Sequence, residues 1–227
     1  GMYAYYRFAD SEYSQLDIST GYFEENSDYF NKYSIDNKKH FGYSIDYERT
    51  KLFSKDKEDE DGLLLSVNWL NDVEYRNVSH HSISSEKKLE SKLNYYFDAP
   101  EYYFGTYLRY YLDTSIESNK STFQTLPQVQ AHTYSQPLVW DKLLYSTDFK
   151  YTNTYREKGS AAERFEFLAP LSYSFYMFDD FLNVTLKEEI TLIQQNYSNT
   201  NSSVDNAQYF ENRHILSLST DLLKEYE

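Results

Sequence analysis

The sequence of 227 residues is long enough for one all-β domain, and its formal net charge of −14 argues against a nucleic-acid backbone as a partner. Aromatic residues make up 19% of the chain and include 26 tyrosines, too many for a disordered protein and typical of surfaces that are apolar on one side and wet on the other. There is no cysteine, so disulfides, thiolate metal sites and thiol nucleophiles are excluded, and no apolar run approaches the roughly 20 residues of a membrane-spanning helix.

Polar and turn-forming stretches divide the chain into about eleven strand-like segments. In chain order the predicted connections are Ala9–Glu12, Glu24–Lys39, Ser54–Gly62, Asn71–Glu86, Asp98–Glu101, Thr114–Thr122, Ser135–Asp141, Arg156–Glu163, Phe178–Phe181 and Tyr197–Gln208. Short and long connections alternate along this series. In an up-and-down antiparallel sheet every second connection lies on the same rim, so the alternation indicates one trimmed and one elaborated rim, as in outer-membrane β-barrels.

Most segments alternate apolar and polar residues with a period of two, which predicts strands with one apolar and one polar face. Many span about 9 to 13 residues, and a tilted transmembrane strand needs about 9 to 11. The predicted lipid-facing residues are Tyr102, Phe104, Leu108, Leu143, Tyr145, Phe149, Phe165, Phe167, Leu171 and Phe175. The predicted lumen-lining residues are Arg109, Asp148, Lys150, Glu166, Thr185 and Lys187. The best helical candidate is Ser85–Lys92, a charged stretch leading into a strand pattern.

A soluble antiparallel sandwich also alternates inward apolar with outward polar residues, so the period alone predicts a sheet and leaves the membrane open. Long strands, alternating connections and tyrosines at strand ends favour a barrel. Those tyrosines are Tyr22, Tyr102, Tyr155 and Tyr197. Against a barrel, Glu188 falls on an apolar register, where a carboxylate at mid-membrane is costly.

The segment Gln124–Tyr134 is the least regular predicted strand. Pro127 lacks the backbone N–H that a ladder needs, and prolines in sheets are confined to edges, strand starts or bulges. Gln128, Gln130 and His132 follow on one face. We therefore expect this strand to be atypical and weakly paired.

No catalytic group, metal site or cofactor site is predicted, and the chain is interpreted as a non-enzyme. The adjacent pair His80 and His81 would point to opposite faces of a strand, and Lys55–Asp61 lacks the glycine and glutamate of a calcium loop. The carboxylates of Glu166, Asp148 and Glu189 could form a glycosidase pair, but in a chain with 36 acidic residues such pairs arise by chance.

Several segments resemble the barrel region of LptD, the lipopolysaccharide-assembly protein of the outer membrane. They are Thr-Tyr-Leu-Arg-Tyr-Tyr-Leu-Asp at 106–113, Gln-Thr-Leu-Pro-Gln-Val-Gln at 124–130, Leu-Leu-Tyr-Ser-Thr-Asp-Phe-Lys at 143–150 and Trp-Leu-Asn-Asp-Val-Glu-Tyr at 69–75. The resemblance implies a Gram-negative outer-membrane barrel that passes the sugar head group of lipopolysaccharide through its lumen. It further implies a plug lipoprotein of the LptE type and a periplasmic jelly-roll protein of the LptA type as partners.

Residues 1–227 are accordingly interpreted as one β-barrel fragment. Gly1 before Met2 is interpreted as a cloning scar, and a periplasmic jelly-roll domain and further barrel strands are expected to lie outside this sequence. Two alternatives stay open at this point: another outer-membrane barrel, such as a porin or adhesin, and a soluble carbohydrate-binding or structural β-sheet protein.

Overall fold

The computed structural model describes residues 1–33, 37–54, 58–72, 74–75, 88–116, 118–198 and 206–220. They form one antiparallel sheet in which eleven strands follow each other in chain order. The strands are β1 (Met2–Phe8), β2 (Ser14–Glu24), β3 (Lys39–Thr50), β4 (Glu60–Leu70), β5 (Lys88–Asp98), β6 (Tyr102–Asp113), β7 (Gln124–Pro137), β8 (Leu143–Tyr155), β9 (Ala161–Met177), β10 (Leu182–Ser198) and β11 (Ala207–Ser219). The predicted all-β, antiparallel up-and-down meander of about eleven long strands is confirmed.

The connections lie on two rims of different character. The short rim carries residues 9–13, 51–59, 99–101, 138–142 and 178–181, and the long rim carries 25–38, 71–87, 114–123, 156–160 and 199–206. The predicted long connection Arg156–Glu163 is wrong, because β8 and β9 leave only a tight turn there. Gly159 has a φ of 109°, and Arg156 Nε donates to the Ser160 carbonyl at 2.7 Å, which closes the turn.

The predicted loop Glu24–Lys39 contains a short helix, α1 (Ser27–Tyr33), which the period-two pattern missed. Asn26 precedes it, and its side-chain oxygen accepts the backbone N–H of Asp28 at 3.0 Å, an N-terminal cap. A 3-10 turn also interrupts the long rim at Asn119–Ser121. Of the helical candidate Ser85–Lys92, residues 88–92 belong to strand β5, and 85–87 lie outside the described residues.

The sheet is a single layer with two faces that run continuously across its registers. We call the apolar face the one that carries Phe149, Phe167 and Leu192, which are register neighbours in β8, β9 and β10. We call the opposite side, with Lys150 and Glu166 as register neighbours, the polar face. Within the described ranges no second sheet covers the apolar face, and Phe149 is 37% exposed there.

The small number of buried apolar side chains agrees with this single layer. In the described part of the chain the buried hydrophobic residues are Leu70, Leu89, Ala99, Ala161 and Val184. A soluble sandwich would bury its apolar register between two sheets, so the described residues do not form one. None of the described helices is long and apolar enough to cross a membrane. No ladder joins β1 to β11 among the described strands, so the sheet is open.

Candidate functional site on the polar face

All six residues predicted to line a lumen lie on the polar face. Strand β8 contributes Asp148 and Lys150, and β9 places Glu166 directly opposite Lys150. Thr185 and Lys187 follow on β10, where they oppose Ser174 and Ser172. Arg109 lies on the same face further along the sheet, opposite Lys92 of β5.

The charges on this face are paired locally rather than gathered at one point. The carboxylate of Asp148 accepts Gln130 Nε2 at 3.2 Å and lies 3.2 Å from His132 Nδ1. The carboxylate of Glu166 lies 3.0 Å from Arg164 Nε.

Local ion pairs also occur on the polar face on either side of Asp148 and Glu166. Lys187 Nζ is 2.8 Å from a Glu189 oxygen, and Arg109 Nε is 3.7 Å from a Glu90 oxygen. The side chains of Arg109 and Lys187 are 47% and 37% exposed, so water screens these pairs and each contributes little to stability. Mixed, solvated charges can contact sugars and phosphates without holding them tightly.

The ten residues predicted to face lipid all lie on the apolar face. Their registers show this directly: Phe104 opposes Phe97, Leu108 opposes Leu93, and Phe149 opposes Phe167. The remaining members follow by alternation and are Tyr102, Leu143, Tyr145, Phe165, Leu171 and Phe175.

Glu188 is the exception that the sequence indicated, and the structure places it on the apolar face. It opposes Leu171 of β9 and His214 of β11. Two neighbours on β11 compensate for it in part: Asn212 Nδ2 donates to Glu188 Oε1 at 2.9 Å, and His214 Nδ1 lies 3.9 Å from Oε2. A polar patch therefore interrupts the apolar face at the β10–β11 edge.

Strand β7 is irregular at Pro127, as the sequence predicted, but the expectation of weak pairing is wrong. Both ladders of β7 shift register between Thr125 and Gln128, where two residues oppose one on each neighbour. This double shift is a β-bulge that accommodates the missing N–H. Gln128 and Gln130 resume regular pairing on both sides and lie on the polar face.

Two side-chain amides replace the ladder bonds that the bulge removes. Gln124, which is 4% exposed, accepts the N–H of Tyr111 at 2.6 Å and donates to the carbonyl of the same residue at 2.9 Å. On the other side, Asn153 Nδ2 donates to the Leu126 carbonyl at 2.6 Å. Buried backbone groups need partners, so these amides keep β7 joined to β6 and β8.

Charged side chains also fix the connections at both rims. On the short rim, the Ser14 hydroxyl donates to Asp10 and holds the pKa of that carboxyl below its usual value. On the long rim, Lys120 Nζ donates to Glu157 at 2.7 Å, and this hydrogen bond raises the pKa of the Lys120 ammonium. The second pair ties the 114–123 connection to the 156–160 turn.

The most enclosed polar side chain was missed by sequence reasoning. His40 is the second residue of β3, lies at the long rim on the polar face and is 0% exposed. It contacts Asp72, which lies 32 positions later and follows β4. No local pattern reveals that contact, because it depends on how the connection after β4 folds back.

Within the described residues, no group of three or more His, Asp or Glu side chains is arranged to hold a metal ion. Asp148, Glu166 and Glu189 were the candidates for a pair of glycosidase carboxylates. Each of them has its own ion-pair or hydrogen-bond partner, given above. His80 and His81 lie outside the described residues, as do residues 55–57 of the predicted charged turn.

A long antiparallel meander with an uncovered apolar face, a wet face of mixed charge and one trimmed rim has the architecture of an outer-membrane β-barrel wall. The chain belongs to the LptD family, because the family model described as LPS transport system D matches residues 27–223. Membership implies a role in lipopolysaccharide transport and assembly at the outer membrane, and the family is a transport component rather than an enzyme family. A comparison with curated proteins finds no match.

Proposed function

We propose that this chain forms part of the wall of an LptD barrel in the outer membrane of a Gram-negative bacterium. Its polar face lines the lumen through which the sugar head group of lipopolysaccharide passes, and its apolar face contacts lipid. The open edges of the sheet support a larger barrel, because eleven strands alone leave backbone groups unpaired at β1 and β11.

The observation that carries this proposal is the uncovered apolar face. Large apolar side chains such as Phe104 (38% exposed) and Leu192 (43% exposed) have no second layer over them in the described residues. Contiguous apolar surface of this kind is costly in water and favourable in hydrocarbon. The polar face is then the only side on which a water-filled passage can form.

Within that passage the proposed lumen-lining residues are Arg109, Asp148, Lys150, Glu166, Thr185 and Lys187. Thr185 is neutral, and the other five carry charges of both signs on partly exposed side chains, which suits transient contact with phosphate and sugar groups. The family match favours this cargo over the porin or adhesin alternative. The proposed protein partners are a plug lipoprotein of the LptE type and a periplasmic jelly-roll protein of the LptA type.

Neighbouring residues on one strand test the two faces at the same depth. A photo-crosslinking amino acid is placed at Lys150 in one variant of the full-length protein and at Phe149 in the other. Ultraviolet light is applied to intact cells, and the adducts are identified by mass spectrometry. We expect lipopolysaccharide adducts at Lys150 and phospholipid or acyl-chain adducts at Phe149.

The register partners Glu166 and Phe167 provide an independent repeat of that experiment. Adducts of the same kind at positions 149 and 150, or the opposite assignment, would show that the two faces are not lumen and lipid surfaces. A variant that crosslinks only when export is active would further separate cargo from resident lipid.

A further inference from the structure

The polar face is open along most of the sheet but covered over β2 and β3 at the long rim. A residue on one face of a single-layer sheet is buried where large neighbouring side chains or another segment lie over it. His40 is fully buried on this face, as are Gly21 and Gly42, which are register partners in β2 and β3. The covering groups include Asp72 and Tyr75, which follow β4, and Glu25, which follows β2, together with the Phe23 and Tyr3 rings beside Gly21.

His40 lies between two carboxylates from two different connections and is hydrogen-bonded to one of them, while its Nε2 has no hydrogen-bond partner among the described residues. Its Nδ1 lies 2.9 Å and 3.1 Å from the two oxygens of Asp72, and its Nε2 lies 3.7 Å from Glu25 Oε1. Asp72 also accepts the backbone N–H of Tyr75 at 3.2 Å. One carboxylate thus fixes both the histidine and the start of the chain segment that carries Tyr75.

The backbone leading to Asp72 is fixed by an amide that continues the β3–β4 ladder. Asn71 Oδ1 accepts the N–H of Phe41 at 2.9 Å, and Asn71 Nδ2 donates to the Lys39 carbonyl at 2.7 Å. The N–H of Asn71 donates to the Phe41 carbonyl at 3.0 Å. Because three bonds hold Asn71 to β3, the connection turns over the polar face directly after β4.

Tyr75 then lies across the two paired glycines. A Cβ atom at Gly21 would lie 2.9 Å from the Tyr75 hydroxyl oxygen, and one at Gly42 would lie 2.7 Å from a ring carbon of Tyr75. The hydroxyl donates to the Gly42 carbonyl at 3.2 Å, and the ring of Phe23 is 6.0 Å away between centroids. Only residues without a side chain leave room for the ring to lie this close to the sheet.

We propose that His40, Asp72 and Tyr75 form a clamp that holds Tyr75 over the paired glycines of β2 and β3, so that this ring narrows the passage at the long rim. These are positioning residues, since they act on the passage through the segment they hold. The contacts above support the clamp, whereas the passage and the cargo that moves through it rest on the proposed function.

Cysteine labelling measures the clamp without reference to export. A cysteine replaces Ser19, the polar-face position two residues from Gly21, and a second replaces Ser172 on the same face of β9, far along the sheet. Both are introduced into the full-length protein in the outer membrane of intact cells. A large, membrane-impermeant maleimide is added, and labelling at each site is read by mass spectrometry.

The ratio of labelling at position 19 to labelling at position 172 is compared among four proteins. They are the otherwise unchanged protein, His40→Gln, Gly21→Ala and His132→Gln. His132→Gln is the matched control, because His132 also contacts an aspartate on the polar face but at a half-exposed site. Gly21→Ala leaves the His40 pair intact and displaces Tyr75 by one methyl group.

We expect the ratio to rise about five-fold or more in His40→Gln and in Gly21→Ala, the size expected when a hydrogen bond to a charged group or a close fit is lost. It should stay unchanged in His132→Gln. Equal ratios in all four proteins would overturn the clamp, as would a rise of the same size in the control. Gly21→Ala decides the outcome if His40→Gln does not reach the membrane, and labelling is independent of whether lipopolysaccharide is exported.

Discussion

Two histidines on the polar face make the same kind of contact in opposite surroundings. His40 meets Asp72 at 2.9 Å and is 0% exposed, whereas the His132 side chain meets Asp148 at 3.2 Å and is 30% exposed. The first joins two connections at the long rim, and the second joins adjacent strands in the middle of the sheet. The difference lies in what covers them, since the sheet beneath is the same single layer.

That contrast shows how one face can carry both fixed and loosely held polar groups. Water competes with the Asp148 contact, so either partner can exchange it for solvent at little cost. At His40 there is no such exchange, and a lost partner leaves a buried polar group unsatisfied. Covered polar groups therefore fix structure, and open ones remain available to a passing ligand.

Replacing each histidine with alanine should give the largest difference in free energy of unfolding between the two regions. We expect His40→Ala to lower the free energy of unfolding by about 3 kcal/mol, because Asp72 and Glu25 are left against a cavity without their partner. His132→Ala should cost less than about 1 kcal/mol. Urea titration of the full-length protein folded in lipid vesicles measures both values, and similar losses would show that burial does not distinguish the two sites.

The bulge in β7 provides the second comparison, between a buried and an open glutamine on one strand. Gln124→Ala removes both bonds to the Tyr111 backbone, so we expect a loss of about 2 kcal/mol. Gln130→Ala, whose amide reaches only the solvated Asp148, should cost about 0.5 kcal/mol or less. The same unfolding titration tests them, and an unaffected Gln124→Ala protein would mean that water replaces the amide.

The smallest expected difference in free energy of unfolding is between alanine substitutions at the paired glycines. At Gly42 an added methyl would also lie 2.8 Å from the Trp69 carbonyl oxygen, which the β3–β4 ladder holds in place. At Gly21 the nearest atoms all belong to side chains that can rotate away. We expect Gly42→Ala to cost about 1 kcal/mol in unfolding free energy and Gly21→Ala clearly less. A reversed order would show that Tyr75, rather than the backbone, limits the space.

The strands and their faces could be predicted because the alternation of apolar and polar residues is visible in the sequence before the pairing of strands is known. In Phe165 to Met177 every odd position is apolar, which identifies the apolar face although Leu168 and Pro170 fall on the other one. Pro127 likewise indicated an irregular strand, since its missing N–H confines it to an edge, a strand start or a bulge. The side-chain hydrogen bonds that replace the lost ladder bonds could not be predicted. Gln124 and Asn153 are common polar residues, and only the strand register shows which backbone groups they reach.

The clamp and the helix were beyond sequence reasoning for different reasons. The helix Ser27–Tyr33 has seven residues, too few for helical periodicity to emerge inside a polar stretch. The role of His40 depends on Asp72 and Tyr75, which reach it only after the chain has completed β3 and β4. Contacts between connections carry no periodic pattern, so they remain invisible until the fold is known.

Strand β11 has 13 residues, and within the described residues it pairs with β10 alone. Its outward amides and carbonyls form a row that hydrocarbon does not tolerate unpaired. A bilayer around this sheet therefore requires a partner ladder along the full height of that border.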